Sequence, residues 1–225
     1  MNLRRIALAV GLSCILQAAH GLEGLSLDWE TAFPIAAAPE HVYFRAHYLD
    51  GNGQPHVLQV WREGARYLRR QTDSAIDLYA HRDNASEIDF RIVDHSRRVI
   101  IRADLPSLHH VGRFTGWLGL AHVLEVPHGS YVVTTFSGAM TSSPVGECAW
   151  FRLETTVPSA GVNEVCWSRQ WGLPLMILKT THKDERLAQF AIDEVRVFEP
   201  DSTTFAVEAK EFLEIDARPD RDLFD

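Results

Sequence analysis

From residue 41 to residue 103, apolar side chains recur at every second position, and this alternation constrains the fold more than any other feature of the chain. In "HVYFRAHYL" (41–49) Val42, Phe44, Ala46 and Tyr48 fall on one face of a strand. In "AIDLYAH" Ile76 and Leu78 point one way, and Asp77 and Tyr79 the other. In "EIDFRIV" Ile88, Phe90 and Ile92 alternate with Glu87, Asp89 and Arg91. A period of two with charged outer positions describes strands packed on one face and wet on the other. "DGNGQP" (50–55) and "REG" are turn sequences that fold such strands back on themselves. After residue 130 the pattern resumes in "YVVTTF", "CAWFRLETT", "EVCWSR", "LMILKT", "QFAIDEVRVF" and "TFAVEAKEFLEI". The expected fold is mainly β (α+β), a strongly curved antiparallel sheet (half-barrel) of about 11 strands. No linker or low-complexity tract divides it, so residues 22–215 read as a single domain and 216–225, "DARPDRDLFD", as a solvated tail.

One stretch breaks the period. "DLPSLHHVGRFTGWLGLAHVLEVP" (104–127) has Leu108, Val111, Phe114, Leu118 and Ala121 at helical spacing, with Asp104 or Ser107 available as a cap. Gly112, Gly116 and Gly119 each weaken a helix by about 1 kcal/mol relative to alanine. The expectation is a glycine-loosened helical segment over the concave face of the sheet. A second, shorter helix in "DWETAFPIAAA" (28–38) would be interrupted at Pro34.

The chain opens "MNLRRIALAVGLSCILQAAHGLEG", with Arg4 and Arg5 before the apolar run Ile6–Leu16 and a small-residue exit at Ala19–Gly21. Residues 1–21 therefore read as a signal peptide cleaved before Leu22. A lipid anchor at Cys14 is the alternative, although Leu12 stands one place late for that motif. The expected location is the periplasm, with no integral membrane span, because no run reaches the ~18–20 apolar residues a span needs. The net charge of −8 becomes more negative when Arg4 and Arg5 leave, which argues against nucleic acid as a partner.

Two cysteines then remain, Cys148 and Cys166. If the strands around them form a hairpin about "TVPSAG" (156–161), the two fall directly opposite each other, on a polar face shared with Arg152, Glu154 and Glu164. In an exported chain that arrangement reads as a disulfide. Closing a loop of this size contributes about 3 kcal/mol in the chain-entropy model. There is no C-x-x-C to support a redox or metal role.

The histidines do not converge on a metal. His110 and His122 lie about 120° apart around a helix, and His109 and His128 fit no ligand spacing, so they read as surface or helix-rim residues. G-x-S-x-G and H-E-x-x-H are absent from the sequence. No catalytic residue, metal ligand or cofactor is assigned.

The remaining signal is apolar. The segment "VWREGARYLRR … IDLYAH … FRIVDHSRRVIIRAD" and the helix that follows resemble the LolA/LolB-type lipoprotein carriers over residues 40–180. That likeness implies an exported half-barrel with a helical lid, and hydrophobic cargo. The functional expectation is an envelope protein binding a hydrophobic ligand (lipid, acyl chain or lipoprotein) in a cleft between sheet and helix. Its candidate ligand-binding residues are Phe114, Trp117, Leu118 and Ala121 from the helix, completed by Trp167, Leu173 and Met176. The alternative is a structural or protein-interaction component of the envelope, with a sealed core and other envelope proteins as partners.

Overall fold

The computed structural model describes residues 24–83, 87–105, 116–136, 142–155, 162–180, 186–207 and 210–218. The expected signal peptide (residues 1–21) falls outside this set, as does Phe114. The chain forms one large, curved, unclosed sheet of 13 strands. Six strands make its first meander: β2 (His41–Leu49), β3 (Pro55–Glu63), β4 (Tyr67–Thr72), β5 (Ile76–Arg82), β6 (Ile88–Asp94) and β7 (Val99–Asp104). A second run comprises β8 (Tyr131–Thr135), β11 (Ala149–Thr155), β12 (Val162–Ser168), β13 (Leu173–Thr180) and β14 (Arg186–Val197). Antiparallel pairing of β14 with β2 joins the two runs. β1 (Ser26–Leu27) adds to the edge at β8, and β15 (Leu213–Asp216) runs parallel to β7 at the opposite edge. A separate hairpin of β9 (Ser142–Ser143) and β10 (Gly146–Glu147) completes the strands.

Register separates the two faces. Directly paired residues share a face, so Phe44, Val60 and Arg70 lie together, as do Ala46 and Leu58, and Val42, Arg62 and Leu68. On this face Val42, Phe44, Ala46, Val60, Leu68 and Phe90 are buried, and they form one cluster with Trp117, Leu120 and Ala121. The last three belong to α2 (Trp117–His122), which is the described part of the expected helical segment. The odd-numbered partners form the opposite, outer face, where Tyr43, Trp61, Arg69 and Tyr79 stack side by side.

α1 (Trp29–Ala32) begins where Asp28 accepts hydrogen bonds from the Thr31 amide and hydroxyl, both 2.8 Å. It stops at Ala32, because Pro34 disfavours helical backbone at Phe33, the residue preceding it. Trp29 and Phe33 pack edge-on against Tyr131, Phe151 and Trp167, making a second cluster over β8, β11 and β12.

The disulfide Cys148–Cys166 is present, with Cα atoms 5.3 Å apart. The register differs from that expected: Cys166 stands opposite Trp150, not Cys148, so the bond runs diagonally between the chains. The Phe151–Val165 pairing, which packs under α1, aligns the strands two residues away from the symmetric hairpin. Trp150 and Cys166 are both buried, and by alternation they share their face with the Arg152–Glu164 ion pair, as expected.

Candidate functional site

α2 is fastened to the sheet by two arginines that occupy positions where the alternation calls for apolar side chains. Arg62 of β3 is 2% exposed. Its Nη1 donates to the Ala121 carbonyl (3.1 Å), and its Nη2 to the Trp171 carbonyl (3.4 Å). Arg70 of β4 donates from Nη1 to the carbonyls of Leu120 (3.2 Å) and Gly119 (3.5 Å). The last carbonyls of a helix lack intrahelical donors and carry its negative dipole end, so cations are favoured there. Burial pushes both guanidinium groups down to about 10.

His122 ends the helix. It is buried, not on the surface or rim, because Gly172 and Arg62 close over its ring from elements distant in sequence. Its Nδ1 lies 2.8 Å from Arg62 Nη1 and 2.8 Å from the Gly172 carbonyl oxygen. A neutral ring nitrogen can accept from the first or donate to the second, but not both at once. Burial, and then the Arg62 charge, hold the imidazole down to about 4. The next residue, Val123, has φ 62°. A β-branched residue in the left-handed region is strained by roughly 1–3 kcal/mol, and such strain clusters at functional sites.

Val123 leads directly into a cleft of about 330 Å3 between the segment that follows α2 and the sheet. Leu58, Val165, Ile177 and Phe190 form its floor, while Val123 and Leu124 form the wall after the helix. Tyr48, Arg70, Asn163 and Gln189 supply its polar groups. No carboxylate lines it among the described residues. A second cleft of about 300 Å3 lies between α1 and α2, lined by Trp29, Phe33, Leu118, His122 and Trp167 among others. Leu124 borders both.

The residues expected to bind ligand are distributed over these features. Trp117 and Ala121 face the sheet within the main cluster, and Leu173 is fully buried there. Leu118 is 40% exposed and lines the second cleft, because the buried face of so short a helix runs through positions 117, 120 and 121. Trp167 lines that second cleft too, its indole N–H donating to the Pro34 carbonyl at 3.2 Å. Met176 is paired with Cys166 and Ala191, on the face opposite the 330 Å3 cleft. Arg62, Arg70 and the cleft floor escaped sequence reasoning. The available signal was a cation at an apolar parity: Leu58-x-Val60-x-Arg62 and Leu68-x-Arg70.

Charge is partitioned across the sheet. The buried carboxylates Asp77 and Glu164 stand on the outer face, by register with Val93 and Arg152. Asp77 meets Arg69 (3.2 Å) and His95 (2.9 Å), and Glu164 meets Arg186 (3.2 Å) and Arg152 (3.5 Å). Each acid therefore has its own basic partners. Among the described residues, no group of three or more His, Cys, Asp or Glu side chains is arranged to hold a metal ion, and no helix is long and apolar enough to cross a membrane. Compared with models of known protein families and with curated proteins, the sequence matches none.

Proposed function

We propose that this is an exported envelope protein that binds an apolar ligand, either a lipid or the acyl chain of an acylated protein, in the cleft beneath the end of α2. The observation that carries this reading is the 330 Å3 cleft itself, opened at the strained Val123 and floored by aliphatic and aromatic side chains. Small-molecule sites are concave, mainly apolar and supplied with a few polar groups, and span roughly 300–1,000 Å3. The cleft fits the lower end of that range, which favours one chain over a multi-chain lipid. The likeness to lipoprotein carriers in the strand pattern points the same way, by analogy only.

A sealed envelope scaffold is the second reading, favoured by the fastening of α2 through Arg62 and Arg70, which opposes a freely swinging lid. A neutral dye that fluoresces in apolar surroundings, N-phenylnaphthylamine, separates the two. The native protein should enhance its emission, and Ile177→Arg should abolish the effect. Leu118→Arg, in the other cleft, should leave it intact, with urea midpoints measured for both variants. If the native protein leaves the dye dark, the scaffold reading stands.

A further inference from the structure

We propose that Arg70 is a head-group site, and that the cleft takes a single-chain amphiphile ending in an anion, either a carboxylate or a phosphate monoester. This rests on the apolar-ligand reading above and adds the chemistry of one end of the ligand.

The inference begins with a charge imbalance. Arg62 and Arg70 bring two guanidinium groups beneath α2, and their described partners are carbonyl oxygens and the His122 ring. The negative end of a helix is equivalent to roughly half an elementary charge, and α2 has only six residues. Among the described residues neither arginine forms an ion pair with a carboxylate. Asp77 and Glu164 are on the other face, paired with Arg69 and with Arg152 and Arg186 respectively. Asp94, on the helix-bearing side of β6, accepts from Ser96 and the Arg97 amide within its own turn. Glu125 follows the helix and does not line the cleft.

Burying a cation without a counter-charge is costly, and a paired, hydrogen-bonded anion offsets that cost. Arg62 is enclosed, but Arg70 lines the cleft. Both of its described hydrogen bonds leave from Nη1. The Nε–Nη2 edge has no described partner, and that edge of a guanidinium matches two oxygens of a carboxylate or phosphate. Tyr48, Asn163 and Gln189 add a hydroxyl and two amides to the same cleft. An anion at Arg70 would leave its chain against Leu58, Val165, Ile177 and Phe190.

The test compares dodecanoate, dodecyl phosphate and dodecanol, each below its micelle-forming concentration, by displacement of N-phenylnaphthylamine from the full chain. At least one anion should displace the dye about tenfold more effectively than the alcohol, as a hydrogen-bonded charge would provide. Which anion wins identifies a fatty-acid-like or a phospholipid-like head. Arg70→Met should abolish that preference, the anions then displacing the dye no better than dodecanol does on the same variant, and Arg70→Lys should retain part of it. If dodecanol matches both anions in the wild type, the head-group inference fails and the apolar cleft survives. If none of the three displaces a dye that does bind, the head-group inference again fails. If the dye itself does not bind, the functional reading falls first. Acetate or inorganic phosphate competing as well as the long-chain anions would also overturn it. The wild-type comparison decides the matter even if Arg70→Met does not fold.

Discussion

Acidification should weaken this fold through His122. The imidazole is enclosed, its Nδ1 2.8 Å from a guanidinium nitrogen, and burial followed by the Arg62 charge holds it down to about 4 from 6.5. In the unfolded chain the same ring takes a proton near 6.5. Between those values the unfolded state binds more protons than the native one, so stability rises with pH. The contribution is complete above 6.5 and is lost as pH falls toward 4. At about 1.4 kcal/mol per pH unit the full effect is about 3 kcal/mol, of which about 2 kcal/mol disappears between roughly pH 7 and 5. The assay is urea unfolding by tryptophan fluorescence at several pH values, for the wild type and His122→Gln. Glutamine can donate to Gly172 or accept from Arg62 but cannot be protonated. Contributions of other groups, including the oppositely signed one of His56, are present in both proteins and cancel. The stability difference between wild type and variant should therefore shrink by about 2 kcal/mol over that range. A difference that stays constant with pH would refute a neutral, caged His122.

Three further outcomes are expected. Non-reducing peptide mapping should recover a Cys148–Cys166 link, and Cys148→Ser should lower stability by about 3 kcal/mol. Gly172→Ala should cost more than about 1 kcal/mol in thermal unfolding: φ there is +59°, and a Cβ would stand 3.0 Å from Ala38 Cβ and 3.4 Å from Ile35 Cα. His56, whose Nδ1 lies 2.5 Å from Asp73, should titrate by NMR above the usual histidine value. Asp73→Asn should bring it back down, since the hydrogen bond to Asp73 is the main cause; the stabilisation it gives is present below 6.5 and is lost as pH rises through the raised value.

The sheet was legible because its inner face is written in the alternation itself: Val42, Phe44 and Ala46 are all fully buried where the pattern puts them. β15 was harder to place, for Leu213 and Ile215 are 64% and 44% exposed and its partner is a parallel edge strand. Sequence reasoning extended a strand over "TFAVEAKEFLEI", yet residues 202–205 form turns and, among the described residues there, only Leu213–Asp216 pairs. The cysteine pairing followed from count and compartment, but its register depended on Phe151 and Val165 fitting under α1, a tertiary contact. The candidate site was the least legible part. Arg62, Arg70 and His122 acquire their meaning only when β3, β4 and the Gly172 turn converge on one helix end, across 50 to 60 residues of chain.

The β2–β14 seam bears on how the chain reaches this structure. Each of the two strand runs can assemble by short hairpin closures, whereas the seam pairs residues roughly 150 positions apart and carries a far larger loop-closure entropy. Ala46 and Ile192 meet across it, both buried. Until that zipper closes, β2 and β14 are each bare edges, open to pairing with another copy of the chain. The slow and aggregation-exposed stage of folding is thus the docking of two preformed halves, and synthesis must release β14 before it can end.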